Sequence, residues 1–135
     1  MSLVVTAGNI NDTQLLAEVL DGISVPTAGR ARSRPDHLLA DKGYSSKANR
    51  DMLRARKIPH TIPERDDQKN NRRARGQRGG RPAGFDGQAY KKRNVVERCF
   101  NKAKQWRGLA TRYDKHAVNY LAGFQFAVVL TWADS

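Results

Sequence analysis

Residues 90–104, YKKRNVVERCFNKAK, constrain this chain more than any other stretch. At ~100° per residue, Tyr90, Arg93, Glu97 and Lys104 fall at roughly 0°, 300°, 340° and 320°, an arc of about 60°. Val95, Val96, Cys99, Phe100, Ala103 and Trp106 fall on the other side. The pattern predicts one amphipathic helix that starts between Asp86 and Tyr90 and ends near Leu109, with Gly108 close to its end. Spacing alone leaves two readings of the polar arc. It is a solvated charged face, or it is a face that sets one carboxylate among cations for chemistry.

The rest of the chain alternates short β-like runs with helical periods. Residues 3–6, LVVT, read as a strand, broken by Ala7, Gly8 and Asn9. Asn11 or Asp12 then caps a helix over residues 12–22, whose apolar stripe is Leu15, Leu16, Val19, Leu20 and Ile23. Asp12 resembles a catalytic acid in position, but a cap or turn is the simpler role. Residues 24–36 form a basic loop carrying Arg30, Arg32 and Arg34. A strand over 37–40 ends in Asp41, Gly43 permits a tight turn, and Ser45 or Ser46 caps a basic helix over 46–57. That helix turns Ala48, Met52, Leu53 and Ala55 inward. Residues 58–63, IPHTIP, read as a short strand bounded by prolines and so near an edge. His60 is an ordinary surface or half-buried residue there.

Residues 65–88 show no apolar period and are rich in Gly, Arg, Asn and Gln, which predicts a long flexible loop. Arg72, Arg73 and Arg75 in it are placed to track phosphates, or the segment is a solvated linker; Phe85 anchors its end. After the motif helix, residues 112–115 make a turn. A closing helix over 116–133 offers Val118, Leu121, Phe124, Val128, Val129 and Trp132 to the core.

Charge narrows the class of partner. The chain of 135 residues has 25 Lys and Arg against 13 Asp and Glu, a net charge of +12. Residues 1–64 are nearly balanced, whereas 65–82 hold 7 cations to 2 acids and 90–115 hold 9 to 2. Two basic blocks therefore carry the surplus, which suggests a polyanion such as nucleic acid. The single Cys99 excludes an internal disulfide and a thiolate metal cluster, and its place on the apolar side predicts a buried, inert thiol. No leader pattern opens the chain. The most apolar run, 121–133, is shorter than the ~20 residues of a membrane span and reads as a buried helix.

The spacing Tyr90–Arg93–Glu97–Lys104 resembles the Y-R-E-K signature of DDE transposases from bacterial insertion sequences. Residues 38–44, LLADKGY, resemble the strand that delivers that family's second catalytic aspartate. Residues 6–12, TAGNIND, are similar to the turn after its first catalytic strand. The resemblance spans nearly the whole chain but only the carboxy-terminal half or so of a family member. It implies an α/β fold: an incomplete ribonuclease-H-like catalytic domain over 1–135, its first two strands absent, with a mixed sheet flanked by helices and a basic insertion at about 65–88.

The resemblance also implies chemistry. Asp41 and Glu97 are the expected catalytic acids and ligands for Mg²⁺ or Mn²⁺, which suit carboxylate and water donors. Tyr90, Arg93 and Lys104 are the expected DNA contacts, with Arg giving a bidentate fork and Lys a point charge. The implied partners are transposon-end and target DNA, with no membrane, and either a missing amino-terminal half or a second copy of the chain. A bacterial, cytoplasmic, nucleoid-associated location follows. The first catalytic aspartate lies on a strand upstream of residue 1, so strand cleavage by this chain alone is not expected. Two competing classes stay open: a non-catalytic nucleic-acid-binding remnant or inhibitor, and a ribosome-associated basic protein. The role of Glu64 stays open as well.

Overall fold

Parallel strands require a crossover, and residues 38–61 supply one. In the computed structural model, β1 (Leu38–Leu39) leads through α2 (Lys47–Ala55) to β2 (His60–Thr61). The two strands pair in parallel with Leu38 opposite His60 and Leu39 opposite Thr61. Leu38 N–H donates to the Pro59 carbonyl at 2.8 Å. The structure describes residues 2–6, 9–105 and 116–133, the side chains at 103, 104 and 131–133 excepted. It divides into two units, residues 25–93 and residues 1–24 with 94–135. Each is described by itself.

In the first unit the expected strand–helix–strand order holds. Leu53 of α2 and Ile62 after β2 are wholly buried, with Ile58, Thr61 and Ser45 nearly so. Ala48 and Ala55, expected inside, are exposed, because the helix offers one narrow stripe to a two-stranded sheet. Ser46 is the cap of α2, its side chain accepting from Asn49 N–H. At the other end Lys57 takes φ 54°, and Ile58 N–H closes the helix on the Leu53 carbonyl at 2.9 Å. That is the left-handed exit usually given to glycine. The loop expected over 24–36 is pinned by an antiparallel bridge between Val25 and Arg32.

The segment expected to be a flexible loop is partly helical. α3 spans Asp66–Ala74, and a 3-10 turn follows over Gly76–Gly79. No residue of α3 is buried, which explains why apolar periodicity misses it. Its order comes from polar chemistry. Asp66 and Asp67 occupy the first turn and Arg72 and Arg73 the last, matching the helix dipole at both ends. Gln68 Oε1 accepts from Arg65 N–H at 3.3 Å, and Lys69 pairs with Asp66 at 3.2 Å. Gly76 leaves the helix at φ +52°. Gly79 then passes so close that a Cβ there would stand 2.2 Å from the Arg72 carbonyl oxygen.

α4 is Gly87–Lys91, capped by Asp86, whose side chain accepts from Gln88 and Ala89 N–H. The single helix expected from about 86 to 109 is interrupted: Lys92 and Arg93 form a turn, and α5 begins afresh as Asn94–Lys104. Three successive cations, Lys91, Lys92 and Arg93, suit the carboxyl end of α4 and oppose the start of α5. The 60° arc therefore does not run unbroken from Tyr90 to Lys104.

In the second unit, Asn11 caps a 3-10 turn over Asp12–Gln14 by accepting from Thr13 N–H. α1 (Leu16–Asp21) follows and buries Leu16 and Leu20. Residues 3–6, expected as a strand, have no strand partner among the described residues. Leu3, Val4 and Val5 instead line a cavity of about 150 Å³ with Phe100, Tyr120, Leu121 and Phe124. α6 (Ala117–Ala133) packs on α5, the rings of Phe100 and Phe124 lying 5.6 Å apart. It is apolar on all sides, so one stripe alone finds cover. Ala127 and Val128 are buried, but Val118 and Val129, expected inside, are exposed, as are Val95 and Val96 of α5. Cys99 is half-buried rather than enclosed. The expectations for Ala7, Gly8, Trp106, Gly108, Leu109 and residues 112–115, and for the side chains of Ala103 and Trp132, fall outside the described residues.

Candidate metal and nucleic-acid site

Asp41 follows β1 directly and begins the 3-10 turn Lys42–Tyr44. Its Oδ1 accepts from Gly43 N–H at 2.8 Å, so the carboxylate also serves as the turn's cap. The residue is exposed. The bond fixes one carboxylate oxygen of a residue that stays exposed. Glu97 stands in the first turn of α5 and is exposed. Asp41 lies in the unit 25–93 and Glu97 in the other. Two exposed carboxylates are the hard oxygen donors that Mg²⁺ prefers, and that ion keeps several waters besides. Among the described residues no group of three His, Cys, Asp or Glu side chains gathers as a metal cluster. Each carboxylate thus fits such an ion in kind.

Tyr90 and Arg93 are placed together, both half-buried. The Arg93 guanidinium carbon lies 5.3 Å from the Tyr90 ring centroid, a cation–π contact. Phe85 tilts against the same ring at 5.3 Å while staying half exposed itself. Tyr90 is therefore a platform that holds Arg93. Lys104 ends α5, and its side chain is outside the described set.

The arginines of the 65–88 segment separate. Arg72 and Arg75 line a cleft of about 740 Å³, and Arg73 does not. Lys47, Arg50 and Arg54 of α2 line the same cleft, joined by Arg81. These four were not singled out by sequence. The signal was present for three of them, since spacings of three and four residues put Lys47, Arg50 and Arg54 on one helix face.

Glu64 supplies the cleft's carboxylate, and its role is now visible. It is ion-paired with Arg72, and both side chains are about one-fifth exposed or less. Arg50 donates to the Ile62 carbonyl at 2.8 Å. Burial lowers the Arg50 pKa, and the Glu64 charge works against that. Asp51 binds Lys47 at 2.9 Å and also Arg54, and these two contacts hold its carboxyl below the usual range. Arg75 and Arg81 have no ion pair among the described residues. The floor is tied down as well: Ser45, itself a lining residue, exchanges hydrogen bonds with Gln68 of α3.

A family model described as Transposase DDE domain matches residues 1–132. No curated protein and no solved structure matches the chain.

Proposed function

The chain belongs to the transposase DDE domain family, and on that premise we propose that it is a DNA-binding component of DNA transposition. In this reading residues 1–135 have a ribonuclease-H-like fold, and β1, α2 and β2 are part of its sheet and cover. The observation that carries the proposal is Asp41 at the carboxyl end of a strand in a parallel βαβ unit, where α/β folds place their ligands. As the family spacing implies, Asp41 and Glu97 are ligands of a divalent ion, Mg²⁺ or Mn²⁺. Bound there, the ion would neutralise charge and activate the attacking oxygen of an in-line phosphoryl transfer.

The chain's own residues prepare that chemistry. Gly43 N–H orients the Asp41 carboxylate. Arg93, steadied on Tyr90, offers its guanidinium edge to a phosphate of transposon-end or target DNA. Lys104, Arg72, Arg73 and Arg75 add positive charge along the duplex. The subgroup is that of bacterial insertion sequences with the Tyr–Arg–Glu–Lys spacing, and the place of work is the bacterial nucleoid.

The test is a double-mutant cycle on Mn²⁺ affinity, read by electron paramagnetic resonance. Asp41→Asn and Glu97→Gln each weaken binding, and the double variant loses little more than either single change, because the two act on one ion. Duplex DNA affinity is unchanged or raised in all three. Independent, additive effects would remove the shared site and leave the competing reading, a nucleic-acid-binding remnant or inhibitor without catalysis.

A further inference from the structure

We propose that the cleft between α2 and α3 is a binding channel for the phosphodiester backbone of duplex DNA, built to hold phosphates without reading bases. The inference rests on the DNA-binding reading above and assigns it a place. Six cations, Lys47, Arg50, Arg54, Arg72, Arg75 and Arg81, line a cleft of about 740 Å³ whose lining includes one acid, Glu64. Such a density of like charge is costly without an anion to share it. The structure answers part of that cost internally. Glu64 takes Arg72, and Asp51 takes Lys47 and Arg54. Arg75 and Arg81 are left without an ion pair among the described residues, on opposite ends of the segment that carries the 3-10 turn Gly76–Gly79.

The chemistry of the lining selects the ligand. Among the described residues no aromatic side chain lines the cleft, which favours contact with the backbone over stacking on bases. Guanidinium groups suit phosphate oxygens by their fork geometry. The wall is also built to hold its shape: Ser45 and Gln68 lock the start of α3, and Gly79 lets the turn close on the Arg72 carbonyl. Glu64 acts as a resident anion that occupies Arg72 and limits the affinity of the channel.

The experiment measures binding of the whole chain to a fluorescein-labelled duplex of arbitrary sequence by anisotropy, between about 50 and 200 mM salt. Arg75→Ala with Arg81→Ala should flatten the slope of log affinity against log salt by about two, at ~0.9 per phosphate contact. Glu64→Gln should tighten binding and steepen the slope by about one as Arg72 is released. Arg30→Ala with Arg34→Ala removes the same charge from the loop 24–36 and should change the slope less. Circular dichroism of each variant checks that α3 is retained. If the Arg75/Arg81 pair behaves like the Arg30/Arg34 pair, the channel is overturned while DNA binding stands. If the unaltered chain does not bind duplex, the DNA-binding reading falls and the channel with it.

Discussion

Ser45 and Gln68 hold each other by two hydrogen bonds: Ser45 Oγ donates to Gln68 Oε1 at 2.9 Å, and Gln68 Nε2 donates to the Ser45 carbonyl at 3.0 Å. Ser45 is 2% exposed. This exchange ties the turn after β1 to a helix that buries no apolar residue, and with the Glu64–Arg72 ion pair it holds α3 in place. Gln68→Ala should leave two buried polar groups of Ser45 unmet and lower stability by about 1–3 kcal/mol. Ser45→Ala combined with Gln68→Leu should cost less than Gln68→Ala alone, since the hydroxyl is then gone and only the residue-45 carbonyl is left unmet. Urea midpoints of the three variants decide it.

Gly79 is expected to resist substitution more than its neighbours. A Cβ at that position would meet backbone, the Arg72 carbonyl oxygen, which has no rotamer by which to move aside. Gly79→Ala should destabilise by about 1–3 kcal/mol. Gly84→Ala, where no atom stands within 4 Å of the added carbon, should be nearly silent. Thermal unfolding followed at the helical band compares the two.

Lys57 invites the opposite outcome. Its φ of 54° costs a side chain that glycine lacks, and the residue is exposed. Lys57→Gly should therefore stabilise the chain by up to about 1 kcal/mol, the left-handed strain relieved being partly offset by the freer unfolded chain. A lower urea midpoint would show that the Lys57 side chain has a stabilising role the backbone does not reveal.

Acid should weaken the first unit through its caps and pairs. Hydrogen bonds from Ala89 and Gln88 N–H lower the Asp86 pKa, and Lys47 and Arg54 lower that of Asp51. A depressed folded-state pKa means that the unfolded chain takes up protons first. The stability from these carboxylates is thus complete above the usual carboxylate range, about pH 4, and is lost as pH falls through the lowered folded values. Urea midpoints should fall from pH 6 toward pH 3, with a shallower fall in Asp86→Asn and Asp51→Asn. An unchanged fall in both variants would assign the acid sensitivity to other groups.

Leu53 and Ile62 are the wholly buried large side chains of the first unit. Leu53→Ala should lower stability by about 2–5 kcal/mol, the combined cost of lost burial and the cavity left behind. Val95→Ala and Val96→Ala on the exposed side of α5 should fall within about 0.5 kcal/mol of the parent. A denaturation series on these three variants separates the real core from the apolar stripe that periodicity alone would have put there.

What the sequence determined by itself was whatever local chemistry sets: the strand–helix–strand order of 38–61, a cap at Asn11 or Asp12 and another at Ser45 or Ser46, and the turn after Asp41. Each depends on residues a few positions apart, and so does the family spacing of Tyr90, Arg93, Glu97 and Lys104. Tertiary structure alone decided the rest. α3 is ordered by partners 8 and 23 residues away, Glu64 for Arg72 and Ser45 for Gln68, which no hydrophobic period can announce. The break at Lys92–Arg93, and the choice of Val128 over Val129 for burial, depend on which face finds a neighbour. A sequence states which faces are apolar or charged; only packing decides which of them are covered.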